Sequence, residues 1–443
     1  MTSEKRPFSS LRRGGRVSSK RRVHQLRRRR HSEVPTREGP RFLAVDFFCG
    51  AGGTTRGLID AGGYVLAGID KDERCRRTYV DNNANLSWDR LAPLFIAKDV
   101  FEKGDEHPSG EHHLIAQELD ALIVRARAQF PGAPLLFAIC APCQPFTTLS
   151  STEAMSEKRL EKRRRDSNLL HAASQFVRRF KPELVISENV AKIRDPRFGG
   201  IWSDFKEELD DLGYATGTDT VCVSKFGVPQ RRKRSILLAA LCARVQPDRF
   251  ADLLKRSLIV PREDRTSAAL TVEQAIGHLP PLGAGEAHPQ IPNHRTRSLS
   301  DINIKRIAAA PTGMTNRYMG STPHGDLSLE CHRRFEEKSG SRGFNDVYTR
   351  MRPDGPAPTI TTRCHSISNG RFGHYDTRQH RGISLREAAA LQSFRDDYVF
   401  YPTDCIEPVA RMIGNAVPPH FARFFADYLV SSLELDREAR LDP

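Results

Sequence analysis

No run of about 18 apolar residues occurs anywhere in this 443-residue chain, which excludes a membrane-spanning helix. The region after Met1 also lacks the apolar stretch that a secretory signal requires. Cysteine is sparse: nine residues, odd in number and scattered, form no disulfide framework. Reduced thiols in a soluble, intracellular protein are therefore expected. Apolar residues make up 38%, low for a compact domain but too many for a disordered chain. Acidic residues are in the minority, 54 against 69 Lys and Arg, for a formal charge of +15. Such an excess favours a polyanionic partner such as nucleic acid and says nothing of fold.

The charge is concentrated. Residues 1–40 carry 13 basic and 3 acidic side chains, a net of +10. Arg12 to Arg30, with the run Arg27-Arg28-Arg29-Arg30, has almost nothing to bury. It cannot offset its ordering entropy, so residues 1–41 read as a disordered basic tail. It is either an electrostatic arm for nucleic acid or simply a solvated extension.

From Phe42 the pattern changes. The β-rich run Phe42 to Phe48 ends at Cys49-Gly50-Ala51-Gly52-Gly53, and Leu58 to Ala61 is helical in character. Tyr64 to Ile69 is a second strand, ending at Asp70. Further strands are expected at Leu94–Ile96, Pro134–Ile139, Leu184–Ser187 and Ser235–Ala240, with helices over 114–129 and 169–180. Alternation of this kind predicts a parallel α/β sheet covered on both faces. From about 241 to 383 the chain is rich in Pro, Gly, His and Arg and reads as a loop-rich second domain. Helical pattern returns at 384–394 and 420–433.

Five segments carry chemistry. In Asp46-Phe47-Phe48-Cys49-Gly50-Ala51-Gly52-Gly53, glycines between strand and helix let backbone approach a ligand. Asp70 can accept from ribose hydroxyls. A tight turn with a surface acid accounts for the same residues. Pro142-Cys143-Gln144-Pro145-Phe146 leaves a buried strand, and its prolines fix where the Cys143 sulfur points. A thiolate there is a strong nucleophile once its pKa is lowered. Cys140 and Cys143 form a Cys-x-x-Cys pair, but zinc needs four ligands and no second pair exists, so no metal is expected. Cys140 reads as a small buried residue. Glu188-Asn189-Val190 places a carboxylate at a strand end, and Gln230, Arg232 and Arg234 alternate onto one strand face. Gly414-Asn415-Ala416-Val417-Pro418-Pro419 is a turn before a helix.

Together and in this order, over roughly residues 42–435, these segments resemble the DNA cytosine-5 methyltransferases. Ser384 to Phe394 resembles the family's penultimate motif. The resemblance implies a Rossmann-like S-adenosylmethionine-dependent methyltransferase domain over 42–240, a smaller target-recognition domain over 241–383, and a segment over 384–443 that returns to the catalytic domain. It implies that S-adenosylmethionine lies over Phe48, Gly50, Gly52 and Gly53. Asp70 then holds the ribose and Asp99 the adenine edge, and Leu169 and Asn415 complete the pocket. Cys143 becomes the nucleophile; Glu188 and Arg232 address the target base, with Arg234 in support. The base must be flipped out of the duplex for this chemistry.

The same resemblance makes residues 147–168, with six Lys and Arg, a loop that closes over DNA, and residues 241–383 the reader of base edges. Asp346-Val347-Tyr348 and Ala357 to Thr362 resemble segments of some bacterial members. Two departures, Thr147 for the common Ser and Asp70 for the common Glu, keep the hydroxyl and the charge. The expected partners are double-stranded DNA and, within a restriction–modification system, a cognate endonuclease; the expected state is a monomer in the bacterial cytoplasm, on the nucleoid when DNA-bound. An RNA cytosine-5 methyltransferase and a non-catalytic DNA-binding relative are the competing readings; the long insert favours DNA, and the intact Cys143, Glu188 and Arg232 favour an enzyme.

Overall fold

The computed structural model describes residues 39–85, 91–142, 168–195, 200–243, 269–340 and 344–441. The basic tail, Cys143 and most of the loop expected to close over DNA lie outside the described residues. Residues 39–443 form one unit.

Its centre is a seven-stranded sheet in the order β3-β2-β1-β4-β5-β7-β6. The strands are β1 (Phe42–Phe47), β2 (Gly63–Ile69), β3 (Leu94–Ile96), β4 (Leu135–Ile139), β5 (Leu184–Val190), β6 (Tyr214–Cys222) and β7 (Lys233–Leu241). β1 to β5 pair in parallel. Every residue of β1, β4 and β5 is buried, as strands covered on both faces require. β7 runs antiparallel to both β5 and β6, so the sheet is mixed rather than wholly parallel. The link from β6 to β7, residues 223–232, is too short for a crossover and can only make a hairpin. β6 therefore keeps the direction of β5, and β7 is inserted between them.

On one face pack α3 (His112–Gln129), α4 (Leu169–Phe180) and α5 (Ile201–Asp211). Phe176 of α4 meets Phe47 of β1, which also meets Phe137 of β4, at centroid distances of 5.2 and 5.1 Å. On the other face lie α1 (Gly53–Asp60) and the last helix, α11 (Pro419–Leu441). Gly57 permits their close crossing: a Cβ there would lie 2.5 Å from Pro419 O.

A third core joins the insert to the sheet's helices. It contains Ala51 and Tyr79 from the β1–β3 half of the sheet, Val272, Met351, Ile360 and Phe372 from the insert, and Leu385 and Ile413 from the closing segment. Tyr79 belongs to α2 (Arg76–Asn82). The insert has few regular elements, as its composition predicts: α6 (Val272–Ile276), α7 (Asp301–Ala309) and α8 (Glu330–Ser339). Arg350 organises it from within, fully buried and donating to the carbonyls of Ile307, His374, Asp376 and Gln379. The closing segment supplies α9 (Leu385–Leu391) and α10 (Ile406–Asn415). A Ser384–Glu387 capping box starts α9. Burial pushes the Glu387 carboxyl up, but buried Arg381 and His374 together pull harder and hold it well below the usual range. Among the described residues no helix is long and apolar enough to cross a membrane.

Candidate active site at the carboxyl ends of the strands

β1 and β4 are neighbours whose onward connections leave in opposite directions, β1 toward β2 and β4 toward β5. The crevice at such a reversal is where open α/β sheets bind ligands. Two of the segments singled out in the sequence leave the sheet here.

The first is the turn after β1. Phe48, Gly50 and Gly52 all have positive φ, at 62°, 50° and 89°. Gly50 N donates to Asp70 Oδ2 at 2.9 Å, tying the turn to the end of β2. Asp72 N takes the other Asp70 oxygen at 2.8 Å. Burial raises the Asp70 carboxyl, and those two N–H groups oppose the rise. Among the described residues a Cβ on Gly50 would meet only Asp70 Oδ2, at 3.9 Å, so none of them crowds the front of the turn. Behind the turn there is none: a Cβ on Gly53 would lie 2.3 Å from Val417 O. Among the described residues the turn is thus uncrowded toward the crevice and closed toward the protein, the shape a ligand-cradling loop needs. Asp99, half-buried beyond β3, lies next along this rim, with Lys71 Nζ 3.9 Å from its Oδ2.

The second segment leaves β4. Ser187 Oγ donates to Ile139 O, and Asn189 Nδ2 donates to Ala141 O at 3.1 Å. The end of β5 therefore fixes the backbone that leads to Cys143. Burial, then the charges of Glu188 and Asp46, pushes the Cys140 thiol far up. Cys140 is thus held as a neutral thiol at the strand end, half-buried rather than buried as expected.

Glu188 stands at the same end, with Arg234 Nε 2.6 Å from its Oε1 and both side chains about nine-tenths buried. The contact is an ion pair, and Oε1 has no in-line hydrogen bond among the described residues. Gln230, Arg232 and Arg234 each turn inward, as their alternation predicts. Gln230 accepts from Ile360 N and donates to Gln392. Arg232 Nη1 donates to Ile360 O and Gly414 O, both at 3.2 Å. The Ala357–Thr362 segment docks directly on this stretch, through Arg231 N to Ala357 O and Ala357 N to Pro229 O. Leu169 is buried at the start of α4, while Asn415 is exposed where α10 ends.

The structure adds residues that the sequence pattern did not single out for a role. Asp46, fully buried in β1, accepts from Thr55 Oγ1 at 2.6 Å, and burial lifts its carboxyl to about 7. Tyr79, Asn83 and Tyr398 gather behind the turn. An acid inside an otherwise apolar strand was the signal for Asp46; the other three carry none.

A family model for C-5 cytosine-specific DNA methylases matches residues 42–431. The chain belongs to that family. The methylase is 33% identical over 392 residues to the Type II methylase M.HgiDII of Herpetosiphon aurantiacus, covering 88% of this chain and 95% of the relative. It is 26% identical to the Type II methyltransferase M1.HphI of Haemophilus parahaemolyticus, covering 86% and 85%. A solved structure described as a DNA modification methyltransferase encoded within an E. coli prophage shares its fold, with a TM-score of 0.59 at 18% identity, covering 90% of this chain and 99% of that one. The methylase is thus a DNA (cytosine-5)-methyltransferase with a Rossmann-like fold, and the competing RNA and non-catalytic readings lose their ground. The family uses S-adenosylmethionine as methyl donor, and the turn's open front and closed back fit such a ligand.

Proposed function

We propose that this methylase modifies cytosine within a specific sequence of duplex DNA, using Cys143 as nucleophile and the Glu188–Arg234 pair to activate the flipped base. The observation that supports it most is the buried Glu188–Arg234 pair beside the backbone that leads to Cys143. Phe48, Gly50, Gly52, Gly53, Asp70, Asp99, Leu169 and Asn415 are the residues that hold the donor. When bound, S-adenosylmethionine supplies an electrophilic methyl group.

Carbon 5 of cytosine is a poor nucleophile. Attack of the Cys143 thiolate on carbon 6 makes the ring enamine-like. Glu188 protonates or hydrogen-bonds ring nitrogen 3 and drains charge off the ring as it develops. Arg234 keeps the Glu188 carboxylate placed and offers a guanidinium to the base carbonyl. Arg232, expected to address the base, spends Nη1 on Ile360 O and Gly414 O, so we give the base carbonyl to Arg234 and leave Arg232 the support of the stretch that leads into it. Carbon 5 takes the methyl group, leaving S-adenosylhomocysteine; its proton then passes to a solvent base as Cys143 is eliminated as thiolate. One chain carries every residue invoked, so a monomer suffices. The relatives named Type II methylases support service in a restriction–modification system beside a cognate endonuclease.

The test is transfer from labelled S-adenosylmethionine to unmethylated duplex DNA by the wild type and Cys143→Ala. Label on cytosine carbon 5 from the wild type alone is expected, and sequencing the product gives the site. Equal transfer by both proteins removes the covalent mechanism.

A further inference from the structure

Behind the cofactor turn, opposite its open front, four residues of the closing segment form a strap, Tyr398 to Tyr401. Its backbone is held on two sides by side-chain amides that imitate a neighbouring strand. Asn82 of α2 donates to Val399 O and accepts from Val399 N, each at 2.8 Å. Asn293 of the insert donates to Phe400 O and accepts from Phe400 N, also at 2.8 Å. Thr78 Oγ1 accepts from Tyr401 N at 2.9 Å, and buried Arg386 donates to Tyr398 O at 2.6 Å. Six hydrogen bonds on four residues make this strap rigid, and the two asparagines link it to separate parts of the chain.

The rigid strap aims one hydroxyl at the turn. Tyr398, 2% exposed, donates its phenolic proton to Ala51 O, between Gly50 and Gly52. Asn83 Nδ2 donates to the same phenol oxygen at 2.9 Å and to Tyr79 O at 2.8 Å. Both of these partners accept, so the amide nitrogen faces them and the tyrosine proton is left for Ala51. A Cβ on Gly52 would lie 2.2 Å from Asn83 Nδ2 and 2.9 Å from Tyr398 Oη. The turn therefore rests directly on this pair, with a left-handed residue at the point of contact.

We propose that Tyr398 is a cofactor-positioning residue, whose hydroxyl with Asn83 fixes the back of the Phe48–Gly53 turn, and that the Asn293 clamp makes this hold depend on the insert. Without the hydroxyl the buried Ala51 carbonyl has lost its donor, and the turn relaxes to find another. Binding of the donor must then re-order the turn, so affinity falls while the chemistry at Cys143 and Glu188 is untouched. The inference rests on the turn holding the methyl donor, as proposed above.

Tyr398→Phe tests it, since the ring stays and only the hydroxyl goes. Expected are an approximately tenfold weaker affinity for S-adenosylhomocysteine by calorimetry and a KM for the donor raised by the same factor, with kcat and DNA affinity within about twofold. Amide exchange at Gly52 and Gly53 should be faster in the unliganded variant. Asn83→Ala reads the same contact from its other side should the first variant prove unstable. Asn293→Ala should weaken S-adenosylhomocysteine in the same direction, by less. A Tyr398→Phe affinity within twofold of wild type overturns the proposal, even if its melting temperature falls, because a merely structural role moves only the latter. An unchanged affinity in Asn293→Ala overturns the dependence on the insert. If the wild type binds no S-adenosylhomocysteine, the assignment of the turn itself fails, a result separable from the other two.

Discussion

Arg234 and Glu188 meet at 2.6 Å across adjoining antiparallel strands, and neither side chain exposes more than a tenth of its surface. Two desolvated charges placed this close hold each other in position, and removing one leaves the other uncompensated. The pair can therefore be tested from either side.

Arg234→Ala should lower kcat by about a hundredfold or more, as loss of a group placed at developing charge does elsewhere. It should also destabilise the fold by ~3 kcal/mol, because Glu188 then stays buried and alone. Affinity for S-adenosylhomocysteine should not change. Steady-state kinetics and calorimetry on one preparation check all three. A kcat within threefold of wild type would make the pair structural only.

The two glycines at either end of the turn should respond differently. Gly53→Ala puts a Cβ 2.3 Å from Val417 O and 3.2 Å from Phe394 Cζ. Backbone and a buried ring must both move, so S-adenosylhomocysteine affinity should fall more than tenfold and the melting temperature should drop. Gly50→Ala meets no described residue nearer than 3.9 Å, which leaves the strain of a φ of 50° as its cost. That strain is roughly 1–2 kcal/mol, so its stability loss should be the smaller. Thermal melts of the two variants, with calorimetric titration, separate steric from conformational cost; the reverse order would contradict the close packing behind the turn.

Arg232→Met should loosen the insert rather than alter the chemistry directly. Its guanidinium carries the carbonyls of Ile360 and Gly414, and both would be left without that donor. A Cβ on Gly414 would lie 2.3 Å from Thr362 N, so the segments it joins are in direct backbone contact. A loss of about 2–4 kcal/mol is expected, with faster limited proteolysis in residues 350–365. Proteolysis unchanged from wild type would remove Arg232 as the clamp.

Much of this was legible in the sequence, for physical reasons. β1, β4 and β5 are near-continuous apolar runs ending in glycine, cysteine or acid, which is how buried parallel strands read. The sequence does not reveal β6: Tyr-Ala-Thr-Gly-Thr-Asp-Thr-Val-Cys lies at the sheet edge, half-exposed, and shows no apolar alternation. Its absence concealed the hairpin that turns β7 around. α10 has no clear helical signature in the sequence because Pro408 interrupts it; the proline sits in the first turn, where its missing N–H costs nothing. Gln230, Arg232 and Arg234 were placed on one face by period alone, but their partners were not foreseeable. Tyr398 meets Ala51 from 347 residues away, a distance no local pattern spans.

Asp46 gives the pH prediction. Burial first, opposed by hydrogen bonds from Thr55, lifts its carboxyl from 3.8 to about 7. Between those values the folded state keeps a proton that the unfolded state releases. The group's stabilising contribution is therefore whole below pH 3.8 and lost as pH rises to about 7. A displacement of this size is worth roughly 4 kcal/mol. Asp70 is raised too and acts in the same direction, while Glu387 is lowered and acts in the opposite one, so the wild-type profile alone does not isolate Asp46. The difference between wild type and Asp46→Asn does, because asparagine is neutral in both states. Denaturant midpoints across pH 5 to 8 should move in the variant's favour as pH rises toward 7 and then hold steady. A difference that does not vary with pH would mean that Asp46 is already ionised in the folded protein, and that Thr55 bonds to a carboxylate rather than a carboxylic acid.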